Sequence, residues 1–271
     1  MSNIRPDKLY TAKEAREILG GMSPTSFKRL VDGGKIRRVV PPNKKQGLYS
    51  KEDVDNMAAV IKEFVEIYSS DDVRGYKFEL AANDEEIKET VQIAKQRLGE
   101  RATSLETRIE RFHKSPKSDY VLKHNGVIVG FFSMLAIKPE TIEELFKRKT
   151  GRWITVEDIE PITNGKPLEI VISNIASRYG GEKHLEAEYG KRLILDVTQL
   201  FINAGKEGID IRRIWAMSST VSGIKLCRDI FKFEELGYVN NEQIGFMLDI
   251  ETSKSPIAEQ YRRARAKSQE Q

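Results

Sequence analysis

Between Tyr10 and Val54 the chain reads YTAKEAREILGGMSPTSFKRLVDGGKIRRVVPPNKKQGLYSKEDV. Thr11 followed three residues later by Glu14 is a capping box, so a helix is expected to start at Ala12. Ala15, Ile18 and Leu19 fall on one face of that helix, and Gly20-Gly21 ends it. Ser23-Pro24 then supplies an N-cap and a first-turn proline for a second helix running through Val31. Phe27, Leu30 and Val31 form its inner face. Asp32-Gly33-Gly34 stops it, Lys35 to Val40 reads as a short strand, and Pro41 to Gly47 is a turn into Leu48-Tyr49. Ser50 with Asp53 caps a further helix.

The order helix, turn, helix, two-stranded wing, helix resembles the winged helix-turn-helix of the MerR and excisionase-like families. Tyr10-Thr11, Glu14-Ala15, Leu19-Gly20 and Gly34-Lys35-Ile36 carry the likeness, which covers about one sixth of the chain. Nine Lys/Arg against three Asp/Glu lie between Tyr10 and Ser50, whereas the whole chain carries only +4. The positive charge is therefore focused here, as binding to a phosphate backbone requires. The resemblance implies that the second helix enters the major groove of double-stranded DNA while the wing touches backbone. Ser23, Thr25, Ser26, Lys28 and Arg29 are the candidate DNA contacts on the helix, and Arg37, Arg38, Lys44 and Lys45 those of the wing. A solvated basic face on a protein-interaction module is the alternative.

At 271 residues the chain has room for two domains, and 39% hydrophobic with 32% charged residues is ordinary for a soluble protein. No apolar run approaches the roughly 20 residues needed to span a bilayer. One cysteine, Cys227, excludes an intrachain disulfide, and with three scattered histidines it leaves no zinc-ligand spacing. The expectation is a metal-free cytoplasmic, nucleoid-associated protein that makes no use of a membrane.

From Lys51 an apolar stripe (Val54, Met57, Ala58, Ile61, Phe64, Val65, Tyr68) continues the third helix, either to dimerise or to dock on the next domain. The first domain is placed at residues 1–68, and Ser69 to Asp72 reads as a linker. A second unit is expected over residues 74–251. Its strands are Tyr76–Ala81, Asp119–Lys123, Val127–Ile137, Leu168–Ala176, Ile211–Met217 and Gln243–Ile250. Its helices are Asp84–Leu98, Ser104–Phe112, Thr141–Lys149, Tyr189–Ala204 and Ser222–Ile230. His124-Asn125-Gly126 is a hairpin signal. Residues 252–271 read as a basic tail carrying Arg262, Arg263, Arg265 and Lys267, frayed or helical, with a solvated tail the favoured form.

This order resembles the GNAT (GCN5-related N-acetyltransferase) fold, most closely over Ile214 to Tyr238, IWAMSSTVSGIKLCRDIFKFEELGY. Ser222 to Leu226 fits the family's helix start, and Lys232-Phe233 stands where Gly-Phe is usual. The fold class expected for the whole is α/β (α+β): a small winged helix-turn-helix domain, then a GNAT-like mixed sheet with flanking helices. By resemblance, a pyrophosphate cradle follows the strand that ends at Ala176, with pattern Gln/Arg-x-x-Gly-x-Gly/Ala. Arg178 and Gly181 match, Gly180 adjoins them, and Lys183 replaces the last small residue. Gly190 and Lys191, at the expected helix start, offer an alternative cradle for acetyl-CoA or another acyl-CoA, although Glu182, Glu186 and Glu188 oppose phosphate. Cys227 falls where the family carries a general-acid tyrosine. Glu169 is the candidate base. Buried packing and an exposed strand position are their respective structural alternatives.

Function is therefore expected to be sequence-specific DNA binding of the transcriptional-regulator type. The GNAT-like domain would sense a ligand, mediate assembly (a homodimer among the options) or retain acyl transfer. The alternatives are an N-acetyltransferase targeted or autoregulated by its DNA-binding domain, and an excisionase-like architectural factor of a mobile element.

Overall fold

The computed structural model describes residues 8–19, 22–41, 47–58, 75–99, 102–179 and 183–269. The chain divides into two compact units, Met1–Asp71 and Asp72–Gln271.

The first unit comprises β1 (Leu9–Tyr10), α1 (Ala12–Ile18), α2 (Pro24–Asp32), β2 (Arg38–Val39), β3 (Leu48–Ser50) and α3 (51–58). The cap expected at Thr11 forms as a reciprocal pair. Its hydroxyl accepts from Glu14 N at 3.2 Å, and its own N–H donates to the Glu14 carboxylate at 2.8 Å. Ser23 and Ser50 cap α2 and α3 through Ser26 N and Asp53 N. Strand β1 was not foreseen; it pairs with β3, which also pairs with β2. Ala15, Leu19, Phe27, Ile36 and Val54 close a small core. The apolar stripe expected beyond Ala58 lies outside the described residues.

The second unit is mixed α and β around one large sheet. In chain order it contains β4 (Tyr76–Leu80), α4 (Asp84–Leu98), α5 (Leu105–Lys114), β5 (Asp119–His124), β6 (Val127–Ile137), α6 (Pro139–Ile142), β7 (Ile159–Glu160) and β8 (Leu168–Ser177). Then come α7 (Lys183–Lys206), β9 (Ile211–Ser218), α8 (Val221–Lys225), β10 (Glu234–Tyr238), β11 (Ile244–Asp249) and α9 (Pro256–Gln269). The sheet runs β10-β11-β9-β8-β6-β5-β4, with β7 beside one end of β6. Every pairing is antiparallel except β8 with β9. Asn125 and Gly126 both take positive φ, 50° and 80°, and make the two-residue turn between β5 and β6.

Both faces of this sheet are covered, which is why its central strands read as unbroken apolar runs. Along β6, Phe132, Met134 and Ala136 face one cluster with α7 and α9. Phe131 faces α4 and α5, and Leu135 and Ile137 face α6. The alternation is the period of two of an extended chain.

Three expectations need correction. Helix α7 starts by Lys183, not Tyr189, so the polar run His184 to Glu188 is helical; its Leu-Glu-Ala-Glu composition favours helix. The basic tail is α9, whose Ile257, Ala258, Tyr261 and Ala264 recur at helical spacing and are buried. Tyr261 donates its hydroxyl hydrogen to the Ile209 carbonyl and accepts from Ile211 N at 2.8 Å. Gly205 of α7 admits the crossing, since a Cβ there would lie 2.8 Å from the Tyr261 carbonyl oxygen. Arg265 pairs with Asp210 at 2.7 Å and with Glu251, and Arg262 donates to the Ile250 and Ser253 carbonyls. Finally, β7 and β10 were not anticipated. Lys232, standing where glycine is usual in the resembled pattern, adopts φ 58° just before β10.

Candidate active site

Strands β8 and β9 run side by side only part of the way. Leu168 to Ile172 pair with Ile211 to Ala216. Beyond that point β8 continues through Ser177 paired only with β6, and a register shift opposite Ser133/Met134 leaves Ser173 bulged. The end of β9, Met217 and Ser218, pairs only with β11. A bulge bends its strand and re-aims the residues after it. The two parallel strands consequently part, and a cleft of about 220 Å³ opens between them.

One wall of the cleft is Ser173, Asn174 and Ile175 of β8; the other is Met217, Ser218 and the turn into α8. Thr220 caps α8, accepting from Gly223 N at 3.1 Å. A Cβ on Gly223 would come within 2.2 Å of the Ser218 hydroxyl, so glycine lets the helix start close against the strand end. Both α6 and α8 run on as single π-helical turns, Glu143–Lys147 and Leu226–Ile230, and these bring Leu145, Leu226 and Cys227 to the lining. Such turns are frequent at functional sites. Trp153, 77% exposed, lies at the rim.

Cys227 is thus brought into the cleft. Burial pushes its thiol up to about 12, so it stays protonated at neutral pH. It can hold a proton there; it is not a thiolate nucleophile.

Glu169 is not part of the lining. Its carboxylate accepts from Trp215 Nε1 at 2.7 Å and from Arg213 Nη1 at 3.1 Å. Both oxygens are engaged in tying β8 to β9, which corrects its expected role as a base.

Arg178 follows β8 directly. Its N–H donates to the Val129 carbonyl at 2.7 Å, its Nε to the Ile128 carbonyl at 3.0 Å, and its Nη2 lies 3.5 Å from Glu89. It fastens the end of β8 to β6 and α4. Gly180 and Gly181 lie outside the described residues. Gly190 and Lys191 sit inside α7 rather than at its start, and backbone N–H groups in a helix interior serve the helix itself. The alternative cradle built on them is therefore withdrawn. Of the acidic residues beside it, Glu188 accepts from the Tyr76 hydroxyl at 2.9 Å and Glu186 lies 3.9 Å from Arg97.

In the first unit, Thr25, Ser26, Lys28 and Arg29 are exposed on α2, while Ser23 is engaged as its cap. Arg37 is held by Asp53 through Nε and Nη2, each at 2.8 Å, and by Glu52 at 3.0 Å. These bonds raise its pKa further and neutralise the charge expected for a wing contact. Arg38 is exposed; Lys44 and Lys45 lie outside the described residues.

Arg111 was missed by sequence reasoning. It lines the cleft from α5, is 8% exposed, and among the described residues makes one hydrogen bond, Nη2 to the Ile154 carbonyl at 2.6 Å. The available signal was a pair of arginines, Arg108 and Arg111, on or beside the stripe of Leu105, Ile109 and Phe112 that a helix of this pattern turns inward. Charged residues on such a stripe are uncommon without a partner. Among the described residues no cluster of His, Cys, Asp and Glu is set to hold a metal ion, and no helix is long and apolar enough to cross a membrane.

No protein-family model and no curated protein sequence matches the chain. Similar architecture occurs among solved structures. FeeM, an N-acyl amino acid synthase from uncultured soil microbes, is 12% identical, with 69% of this chain and 97% of that one covered and a TM-score of 0.43. The AHL synthase LasI is 12% identical over 68% and 92%, with a TM-score of 0.44. The loading GNATL domain of CurA from Lyngbya majuscula is 14% identical over 53% and 64%, with a TM-score of 0.38.

Proposed function

We propose that the second unit is a GNAT-like acyltransferase domain that takes an acyl-CoA-type thioester in the cleft between β8 and β9. The parting of the two parallel strands carries this reading. Past Ile172 the β9-facing edge of β8 has no strand partner, and an extended, amide-bearing arm can add there as a strand would. Ser173 to Ser177 would hold that arm, with the glycine at 223 keeping the opposite wall clear. When bound, the thioester supplies an activated acyl group. Cys227, protonated and facing the same cleft, is the proposed proton donor to a departing thiolate. Arg178 remains the proposed contact for the phosphate end.

The reading is tested by hydrogen exchange of the full-length protein with and without acetyl-CoA. Slowed exchange at Ser173–Ser177 and around α8 is expected. Unchanged exchange there under saturating acetyl-CoA would overturn the placement.

A second reading concerns the first unit, proposed as a winged helix-turn-helix that binds double-stranded DNA through α2. What favours it is that Lys28 and Arg29 are exposed beside Thr25 and Ser26 with no ion-pair partner among the described residues. Duplex affinity measured before and after both charges are removed from α2 tests it.

A further inference from the structure

Arg111 and Arg152 line the cleft, Arg108 neighbours Arg111 on α5, and two of these three arginines have carboxylate partners. Arg108 is paired with Asp119 at 2.6 Å, a carboxylate that also accepts from Ser118 and Ser133. Arg152 is paired with Asp158, which accepts from Thr141 at 2.8 Å as well, and with Glu144 at 2.9 Å. Arg111 has no carboxylate of the described residues within ion-pair distance. Its Nε is buried without a partner, and Nη2 bonds only a backbone carbonyl. A buried guanidinium in this condition is costly, because desolvation is offset only in part, by Asp119 and Asp158 acting from beyond ion-pair distance. Burial first and the neighbouring Arg108 next push its pKa down, against a smaller opposing pull from Asp119 and Asp158.

We propose that Arg111 is the anchor for a carboxylate group on the acyl acceptor, so that the acceptor class is a carboxylate-bearing small molecule, such as an amino acid, rather than a neutral amine. A guanidinium takes a carboxylate through two parallel N–H bonds, and such charge-assisted pairs are about twice as strong as neutral ones. The surroundings fit the rest of such a molecule. Leu145, Val171 and Met217 give an apolar wall, and Ser173 and Asn174 give polar groups toward the strand edge where acyl transfer is placed. The inference deepens the acyltransferase reading and rests on it for calling the bound carboxylate an acceptor.

Sodium benzoate and benzamide, alike in shape and different in charge, are the probes. Each is titrated into the full-length protein by ligand-observed NMR, and acetyl-CoA is titrated separately. Benzoate is expected to bind roughly tenfold or more tightly than benzamide, the preference of a charge-assisted pair over a neutral one. Arg111→Met is expected to erase the preference, and Arg111→Lys, which keeps a charge without the fork, to retain part of it. Equal binding of the two probes by the wild-type protein would overturn the proposal. So would an undiminished benzoate preference in an Arg111→Met variant with a native circular dichroism spectrum. Absent benzoate preference with acetyl-CoA binding intact removes the carboxylate anchor alone. Benzoate preference without acetyl-CoA binding removes the acyl-CoA reading and leaves the anchor standing.

Discussion

Burial decides what Cys227 can do. Its thiol titrates at about 12 in the folded protein because the charged form would lie among Leu226 and the strand ends with little water. A free cysteine ionises near 8.5–9, so the unfolded chain gains its thiolate first. Cys227 therefore adds its full stability below the ordinary value, and that contribution falls as pH rises toward about 12. Between pH ~8 and ~10 the loss amounts to about 1.4 kcal/mol, one pKa unit's worth. Denaturant unfolding of wild type and Cys227→Ala at both pH values checks this. The alanine protein is expected to lose less stability by about that amount, and equal losses in the two proteins would contradict the buried thiol. Tyr120, also raised to about 12 by burial, contributes equally in both and cancels.

Helix α2 is the element through which the first unit would meet DNA. Lys28 and Arg29 are one residue apart on it, exposed, and clear of carboxylates among the described residues. The double variant Lys28→Ala/Arg29→Ala is expected to bind a mixed-sequence duplex more weakly and with a shallower salt dependence, by about two charges' worth of slope. Affinity and slope equal to wild type in a filter-binding or anisotropy titration would remove α2 from the interface. Arg37 is excluded from such a test because Asp53 and Glu52 already hold it.

The same scale explains what could be read in advance. The caps at Thr11, Ser23 and Ser50, the Asn125-Gly126 turn and the helix Asp84–Leu98 depend on residues within a few positions, and all were legible. Strand β10 was not, because Glu-Glu-Leu-Gly-Tyr has no alternation of its own and becomes a strand by pairing with β11. Helix α9 looked like a charged tail because its few apolar positions matter only once Gly205 lets α7 approach. At the site, the structure places Cys227 in the cleft lining. Glu169 was misread because Arg213 and Trp215, 44 and 46 residues away, occupy its oxygens. Arg111 showed only as a charge beside the apolar stripe of α5, and its want of a carboxylate partner cannot be seen in a sequence.

At the scale of the whole molecule, a small basic unit and a larger mixed-sheet unit share one chain whose net charge is only +4. Concentrating positive charge in one unit leaves the other close to neutral. An acyl-CoA in the proposed cleft would then be held by local contacts, not by a general field. The proposed contacts are the apolar lining and the unpaired strand edge of the cleft, with Arg178 proposed for the phosphate end. The direct measurement is isothermal titration of the full-length protein with acetyl-CoA. A saturable, single-site heat in the micromolar range is expected. Absence of heat up to millimolar acetyl-CoA would contradict acyl-thioester binding and leave the sheet and its cleft as a scaffold.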